Sequence, residues 1–384
     1  GWAGALRLPP LRADLVRRSA LVIKALSHGP TGAIAAAATT SLPEHLGGSR
    51  NWDYRYCWPR DAAMAAAALV RLGNTGHALK LLDWLLNVVD RSESPDRLRP
   101  IYTVTGNKLG TEGEVGNLAG HRGSRPVRIG NAAAHQVQLD VFAPIVHLVA
   151  MLAETGAPIS PDHWRLVRAM VQAVEARWQE LDHGIWEMRG PKRAHVHSRV
   201  MCWHAVNRAL VVEELFTGRR TAGWERLRDE IASDVLSHGW NAEAGAFTIA
   251  YGDPQLDAAA LAIGLTGLLP PGDPRLIATI ERVREQLLHG GGVYRYRLDD
   301  GLPGQEGTFL LCTSWLIEAM VLIGRVGEAR ALFDGYAALA GPTGLLAEEY
   351  DPDLKLALGN FPQAYSHLGL INCAVALAAA GERD

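Results

Sequence analysis

Apolar positions recur along most of the chain at the three-to-four-residue spacing of helices, and strict β-type alternation is scarce. The spacing predicts twelve helices, over 12–27, 61–73, 76–90, 131–155, 161–180, 199–216, 223–238, 256–265, 273–289, 308–323, 326–339 and 363–380. The stretch 61–72 (DAAMAAAALVRL) is small and apolar on nearly every face, the pattern of a helix packed on most sides. The stretch 224–236 (WERLRDEIASDVL) has one apolar stripe and one charged face, so it belongs at the border with solvent. Asp273-Pro274 puts a capping carboxylate ahead of a proline at the first helical position.

The connections sharpen this picture. Those leaving helices two, four, six, eight and ten are short, whereas most of those entering the even-numbered helices are long and rich in Gly, Trp, Tyr, Arg and Glu: 28–60, 91–130, 181–198, 239–255, 290–307 and 340–362. Antiparallel pairs with that alternation bring every long loop to one end of the molecule. Six such hairpins can close into an all-α double ring, an (α/α)6 barrel with a concave site among the loops. An open α-solenoid is the alternative, but no repeat consensus recurs at a fixed period. No Pro/Ser-rich linker divides the chain, so residues 1–384 are expected to form one domain, with 1–11 as a linker-like lead-in.

Composition removes several functions. The 384 residues carry a formal charge of −3, with 48% apolar and 21% charged side chains, so there is no basic surplus for nucleic acid. No apolar run reaches the ~20 residues that cross a bilayer, and the first residues lack the pattern of a secretory signal. Cys57, Cys202, Cys312 and Cys373 share no CxxC spacing, which points to buried reduced thiols and a cytoplasmic setting.

Three loop segments are dense in chemistry. Ser49–Asp61 (SRNWDYRYCWPRD) holds two Tyr, two Trp, three Arg and two Asp. Aromatic faces cover sugar C–H surfaces while Arg and Asp bond hydroxyls, so the mixture suits a polar, uncharged ring; taken alone it could equally pin a loop. In His183–Arg189 (HGIWEMR), Glu187 follows Trp186, and a carboxyl lodged against an indole keeps its proton more readily, as a proton donor needs. In Gly344–Pro352 (GLLAEEYDP), Glu348 and Glu349 adjoin, so one is expected to face the mouth, where it can activate water. Supporting loops at Arg122–Asn131, Val293–Phe309 and Leu358–His367 offer Arg, Tyr, Asn and acidic groups, Glu306 among them, beside glycines. His195, His197, His204 and His183 lack the spacing of a metal set and read better as structural groups. No metal or organic cofactor is expected.

These segments resemble glycoside hydrolase family fifteen, the glucoamylase-like inverting glucosidases, and most of all its bacterial trehalase- and isomaltose-hydrolase-like branch. The resemblance runs in order through SLPEHLGGSRNWDYRYCWPRDA, GSRPVRIGNAA, HGIWEMRGP, HSRVMCW, FTIAYG, VYRYRLDDGLPGQEGTFLLCTSWL, LLAEEYDP and LGNFPQAYSHLGLIN. It implies an (α/α)6 barrel, with Glu187 as general acid and Glu348 as general base, Glu349 being the less favoured base. It also implies that Arg60 and Asp61 hold hydroxyls of the non-reducing glucose, that Tyr54 and Trp58 flank that sugar, and that Trp186 lines the pocket beside the acid. Arg125, Arg128 and one of Arg295 or Arg297 are expected to reach the sugar or order the carboxyls. Bacterial members commonly carry a β-sandwich domain before the barrel, and this chain begins at about the linker that would follow it. Gly123-Ser124 stands where starch-degrading members place a Trp, which favours a short substrate. The expected activity is exo-acting hydrolysis of a short α-glucoside with release of β-glucose, isomaltose-type substrates first, then trehalose, then starch. A sugar epimerase or isomerase using His195, His197 and His367 is the competing enzyme class, and a silent carbohydrate-binding protein the non-enzymatic one.

Overall fold

The computed structural model describes residues 1–381. Twelve α-helices follow one another: α1 Ala13–Leu26, α2 Pro59–Arg71, α3 Gly76–Asp90, α4 Phe142–Glu154, α5 Pro161–Arg177, α6 Val196–Thr217, α7 Ala222–His238, α8 Ala262–Leu265, α9 Pro274–Leu287, α10 Leu310–Leu322, α11 Val326–Ala338 and α12 Ala364–Gly381. The even-numbered helices touch in sequence, α2 on α4, α4 on α6, α6 on α8, α8 on α10, α10 on α12 and α12 back on α2, which closes the inner ring. The odd-numbered helices back it, with α1 against α12, α3 against α2 and α11 against α10. This is the expected (α/α)6 barrel.

Residue types explain which helix goes where. α2 buries eleven of its thirteen residues, and its small alanines let neighbouring helices approach closely. α12 is long and apolar enough to cross a membrane, yet two-thirds of it is buried in the inner ring, so its apolar length serves the core. α7 buries only Leu227, Ile231 and Val235, the stripe of an outer helix. Asp273 accepts from the Arg275 N–H ahead of α9, as its sequence predicts, and Ser160 closes a capping box on α5 with Pro161 at the first position.

Two helix starts change, those expected at 131 and at 256, α8 covering only Ala262–Leu265. The helix expected over 131–155 begins only at Phe142. Residues 132–135 and 139–141 are separate 3-10 turns, with Gln136 and Gln138 in extended backbone. Asn131 caps the first of these turns by accepting from Ala133 N–H, and Asp257 does the same for Ala259 ahead of α8; such side-chain-to-backbone bonds compete with helix. The lead-in at 1–11 lies against the barrel, with Trp2 edge-on to His77 and the Arg7 N–H bonded to the Leu72 carbonyl.

Short hairpins stiffen the loops: β1 Gly113–Glu114 with β2 Arg128–Ile129, β3 Trp240–Asn241 with β4 Ala246–Phe247, and β5 Leu288–His289 with β6 Gly292–Val293. β8 (Glu349–Asp351) pairs antiparallel with both β7 (Thr308–Phe309) and β9 (Leu356–Leu358), tying the last two long loops together. A small apolar cluster of Ala36, Trp58, Ile101, Leu109, Ala133 and Ala134 seats Tyr54 and Tyr56 beneath the first two loops. The four cysteines are buried, unpaired thiols.

Candidate active site

Five of the six long loops meet around a cavity of about 290 Å³. The first supplies Glu44, Arg50, Trp52, Tyr54 and Trp58; the second Asn131 and Gln136; the third Trp186, Glu187 and Arg189; the fifth Arg295, Asp300 and Glu306; the last Glu348 and Gln363. Arg60, Asp61 and Tyr365 close it from the first turns of α2 and α12. The fourth loop acts from behind, where Asp257 accepts from the Trp186 indole N–H at 2.9 Å.

Arg60 is the hub of one wall. Its Nε donates to Asp61 Oδ1 (3.0 Å) and the Tyr365 hydroxyl (2.7 Å), and its Nη1 donates to Gln138 Oε1 (2.9 Å) and Asp140 Oδ2 (3.2 Å). The Tyr365 hydroxyl donates in turn to Asp61 Oδ1 at 2.6 Å. Burial pushes Asp61 up to about 6, against the pull of Arg60. Gln138 passes the order outward, donating from Nε2 to Glu187 Oε1 at 3.1 Å.

Glu187 occupies a tight turn and holds φ = +58°, a left-handed conformation that costs a non-glycine residue about 1–2 kcal/mol. Such strain persists where the surroundings over-determine it. The indole that meets this carboxyl belongs to Trp58, whose Nε1 donates to Oε1 at 2.7 Å. The neighbouring Trp186 turns instead toward Phe309, Trp315 and Asp257.

Glu348 lines the same cavity from the last long loop, 1% exposed. The Tyr54 hydroxyl donates to its Oε1 at 2.7 Å, and the Asn360 N–H approaches Oε2 at 3.4 Å. Gly359 makes this approach possible: at φ = +74° it packs so closely that a Cβ there would lie 2.4 Å from Glu348 Oε2. Burial pushes Glu348 up to about 7, with the Tyr54 bond and Arg295 pulling the other way. Adjacent strand residues face opposite ways. Glu349 accordingly turns off the cavity wall, accepts from the Gly307 N–H at 2.9 Å, and is fully buried.

Several expected site residues lie elsewhere. Arg125 is exposed and off the cavity, followed by a cis bond to Pro126. Arg128 donates to the Ser49 and Asn51 carbonyls and lies over the Trp52 ring, so it holds the wall from behind. Arg297 is exposed and stacks on Tyr294, whereas Arg295 lines the cavity and donates from Nε to Glu306 Oε2 at 2.9 Å. Loop arginines two residues apart can point opposite ways, and spacing does not say which turns inward. Arg50, unassigned in the sequence reading, binds Asp300 bidentately at 2.7 and 2.8 Å and also Glu306. Gln138, Tyr365 and Glu44 were missed as well. His195, His197 and His367 are buried off the cavity and held low, at about 4, 4 and 3, by burial, so they supply no base at its wall.

The closed double ring, with an aromatic, carboxyl-bearing cavity on its long-loop face, places the chain in the class of (α/α)6-barrel proteins. Solved structures share the fold: a glycosidase variant in complex with glucose (TM-score 0.76, 20% identity, 95% of this chain and 96% of that one) and a bacterial glucoamylase complexed with acarbose (TM-score 0.72, 15% identity, 96% and 56%). The pattern of the glycosyl hydrolases family 15 matches residues 10–375, and the chain belongs to that family. Among curated relatives it is 41% identical over 371 residues to a trehalase of Mycobacterium tuberculosis and 38% identical over 375 residues to a trehalase of Thermoplasma acidophilum. The matches cover 95% and 97% of this chain but 54% and 64% of those proteins, so the chain spans between half and two-thirds of their length.

Proposed function

We propose that this chain hydrolyses an α-glucoside at a non-reducing terminal glucose with inversion, and that trehalose is its first substrate. The observation that carries the reading is one cavity lined by both Glu187 and Glu348, with the Arg60–Asp61–Tyr365 hub closing it. The hub offers charged donors and acceptors to the hydroxyls of the terminal glucose, and Trp58 and Tyr54 cover its apolar faces. Both protein donors to Glu187 fall on Oε1. Its Oε2 is thereby left to carry the proton that passes to the glycosidic oxygen. Glu348, poised near neutrality, takes a proton from the water that attacks the anomeric carbon on the opposite face, and Tyr54 steadies it.

The order of substrates departs from the sequence reading, which put isomaltose-type sugars first. Relatives of 32–41% identity carry the name trehalase, including two from Sulfolobus acidocaldarius, and none of them is named for isomaltose. Glucose release from trehalose, isomaltose, maltose and soluble starch, with the anomer followed by proton NMR, tests this. Trehalose is cleaved fastest and gives equal amounts of β-glucose, from the ring attacked by water, and α-glucose, from the leaving ring, whose own anomeric bond is not broken; from isomaltose, maltose and starch the glucose freed from the non-reducing end is β. No glucose from any of the four, or α-glucose alone from trehalose, overturns the reading.

A further inference from the structure

Six carboxyls line the cavity: Glu44, Asp61, Glu187, Asp300, Glu306 and Glu348. Five have hydrogen-bond donors from the protein. Asp61 has Arg60 and Tyr365, Glu187 has Trp58 and Gln138, Asp300 and Glu306 have Arg50, and Glu348 has Tyr54. Glu44 is the exception. It is 1% exposed, and neither of its carboxyl oxygens makes a well-formed hydrogen bond, the neighbouring Trp52 indole being the one side-chain donor near enough to favour its charged form. The nearest cation, Arg295 Nη2, lies 3.8 Å from Oε2 and is already engaged with Glu306. Its backbone is firmly held, the Glu44 N–H donating to the Arg50 carbonyl at 3.1 Å, so the side chain is presented and not merely loose.

We infer that Glu44 is a substrate-contact residue, its carboxyl accepting hydrogen bonds from hydroxyls of the sugar seated beside Glu348. The inference rests on the α-glucoside reading above. A buried carboxyl without a well-formed hydrogen bond is costly, and a bound ligand that supplies the missing donors offsets that cost. Ligand atoms of Glu44, Glu306 and Glu349 lie within 4.8 Å of one another, which raises a cation as the other possible occupant. Two facts weigh against it. Glu306 is occupied by Arg50 and Arg295, and the two guanidinium groups put positive charge where a metal would sit. A sugar hydroxyl supplies a neutral donor and needs no further charge balance. Around Glu44 stand Glu306, Glu348, Glu349, Arg295, Arg50 and Arg128, with the Trp52 indole alongside; burial and the neighbouring carboxylates push its own titration upward.

Glucose binding, measured by calorimetry on wild type, Glu44→Gln and Glu44→Asp, tests this. The first variant replaces the carboxyl by a neutral amide, and the second keeps the carboxyl but withdraws it by one methylene, so the pair survives the failure of either one to fold. The expected result is a Kd for glucose raised about tenfold or more in both, the scale of one charge-assisted hydrogen bond, with melting temperatures near that of wild type. Wild type that binds glucose and cleaves trehalose, beside variants that bind glucose within twofold of it, overturns the inference alone. Wild type that neither binds glucose nor cleaves any α-glucoside overturns the functional reading and this inference with it.

Discussion

The two walls of the cavity solve opposite problems. On the Glu187 wall charges and donors are matched: Arg60 meets Asp61 and Asp140, and Gln138 relays that order to a partly buried carboxyl held by two neutral N–H groups. On the Glu348 wall acid is in excess. Glu44, Glu306, Glu348 and Glu349 crowd around Arg295, and burial holds Glu348 at about 7. A matched wall fixes geometry, whereas an over-acidic one raises the affinity of an ionised carboxylate for a proton, which strengthens it as a base. The proposed inverting reaction would draw on both.

Glu→Gln changes at the two positions test the comparison most severely. Either lowers turnover of trehalose by about 10²–10⁴-fold. The walls then separate with α-glucosyl fluoride, whose leaving group needs no protonation: Glu187→Gln recovers most of its activity on the fluoride, while Glu348→Gln loses both substrates. Equal losses on the two substrates in both variants would dissolve the assignment of acid and base. Gly359→Ala comes next, because its Cβ would displace Glu348 Oε2. A shift of that kind costs about 10²-fold in kcat, with glucose affinity changed far less.

Acidity gives the third test. In the proposed mechanism Glu348 serves as base only when ionised, so kcat/KM is expected to fall as pH drops below about 7. The Tyr54 hydroxyl stabilises the charged form, so Tyr54→Phe raises the Glu348 titration and moves the acid limb to higher pH. Glu306→Gln removes a neighbouring carboxylate that raises Glu348 and moves the limb to lower pH. Each displacement is expected to be about half a unit to one unit. Limbs that move the same way in both variants would contradict the over-acidic wall.

Legibility in the sequence followed density and period. Helices with an apolar stripe or an all-apolar run were readable because burial imposes the 3.6-residue period, and the alternation of long and short connections announced the closed ring. Tyr54, Trp58, Arg60 and Asp61 stood out because one loop and one helix start must carry them together. Gln138 was hidden by its setting: AAAHQVQLDV has helical composition, and only the Asn131 cap and the extended backbone after it reveal that Gln136 and Gln138 face the site. Glu44 gave no signal at all, since a lone Glu in a loop acquires meaning only from the three chain segments folded around it. Arg125, Arg128 and Arg297 failed for the converse reason, being loop arginines judged by neighbourhood along the chain.

The smallest expected effects sit just behind the matched wall and outside both walls. Gln138→Leu cuts the link from Arg60 to Glu187 without touching either, and removes one of two donors to Oε1. Trehalose turnover should fall about tenfold while hydrolysis of the fluoride, which bypasses the acid, changes little. Arg297→Ala and Arg125→Ala, both exposed, should leave kcat/KM within about twofold of wild type. If either arginine change instead weakens trehalose hydrolysis as much as Gln138→Leu does, while sparing the fluoride, then the wall that orders the acid reaches further into the loops than the Arg60–Gln138 link, and the matched side is the larger of the two.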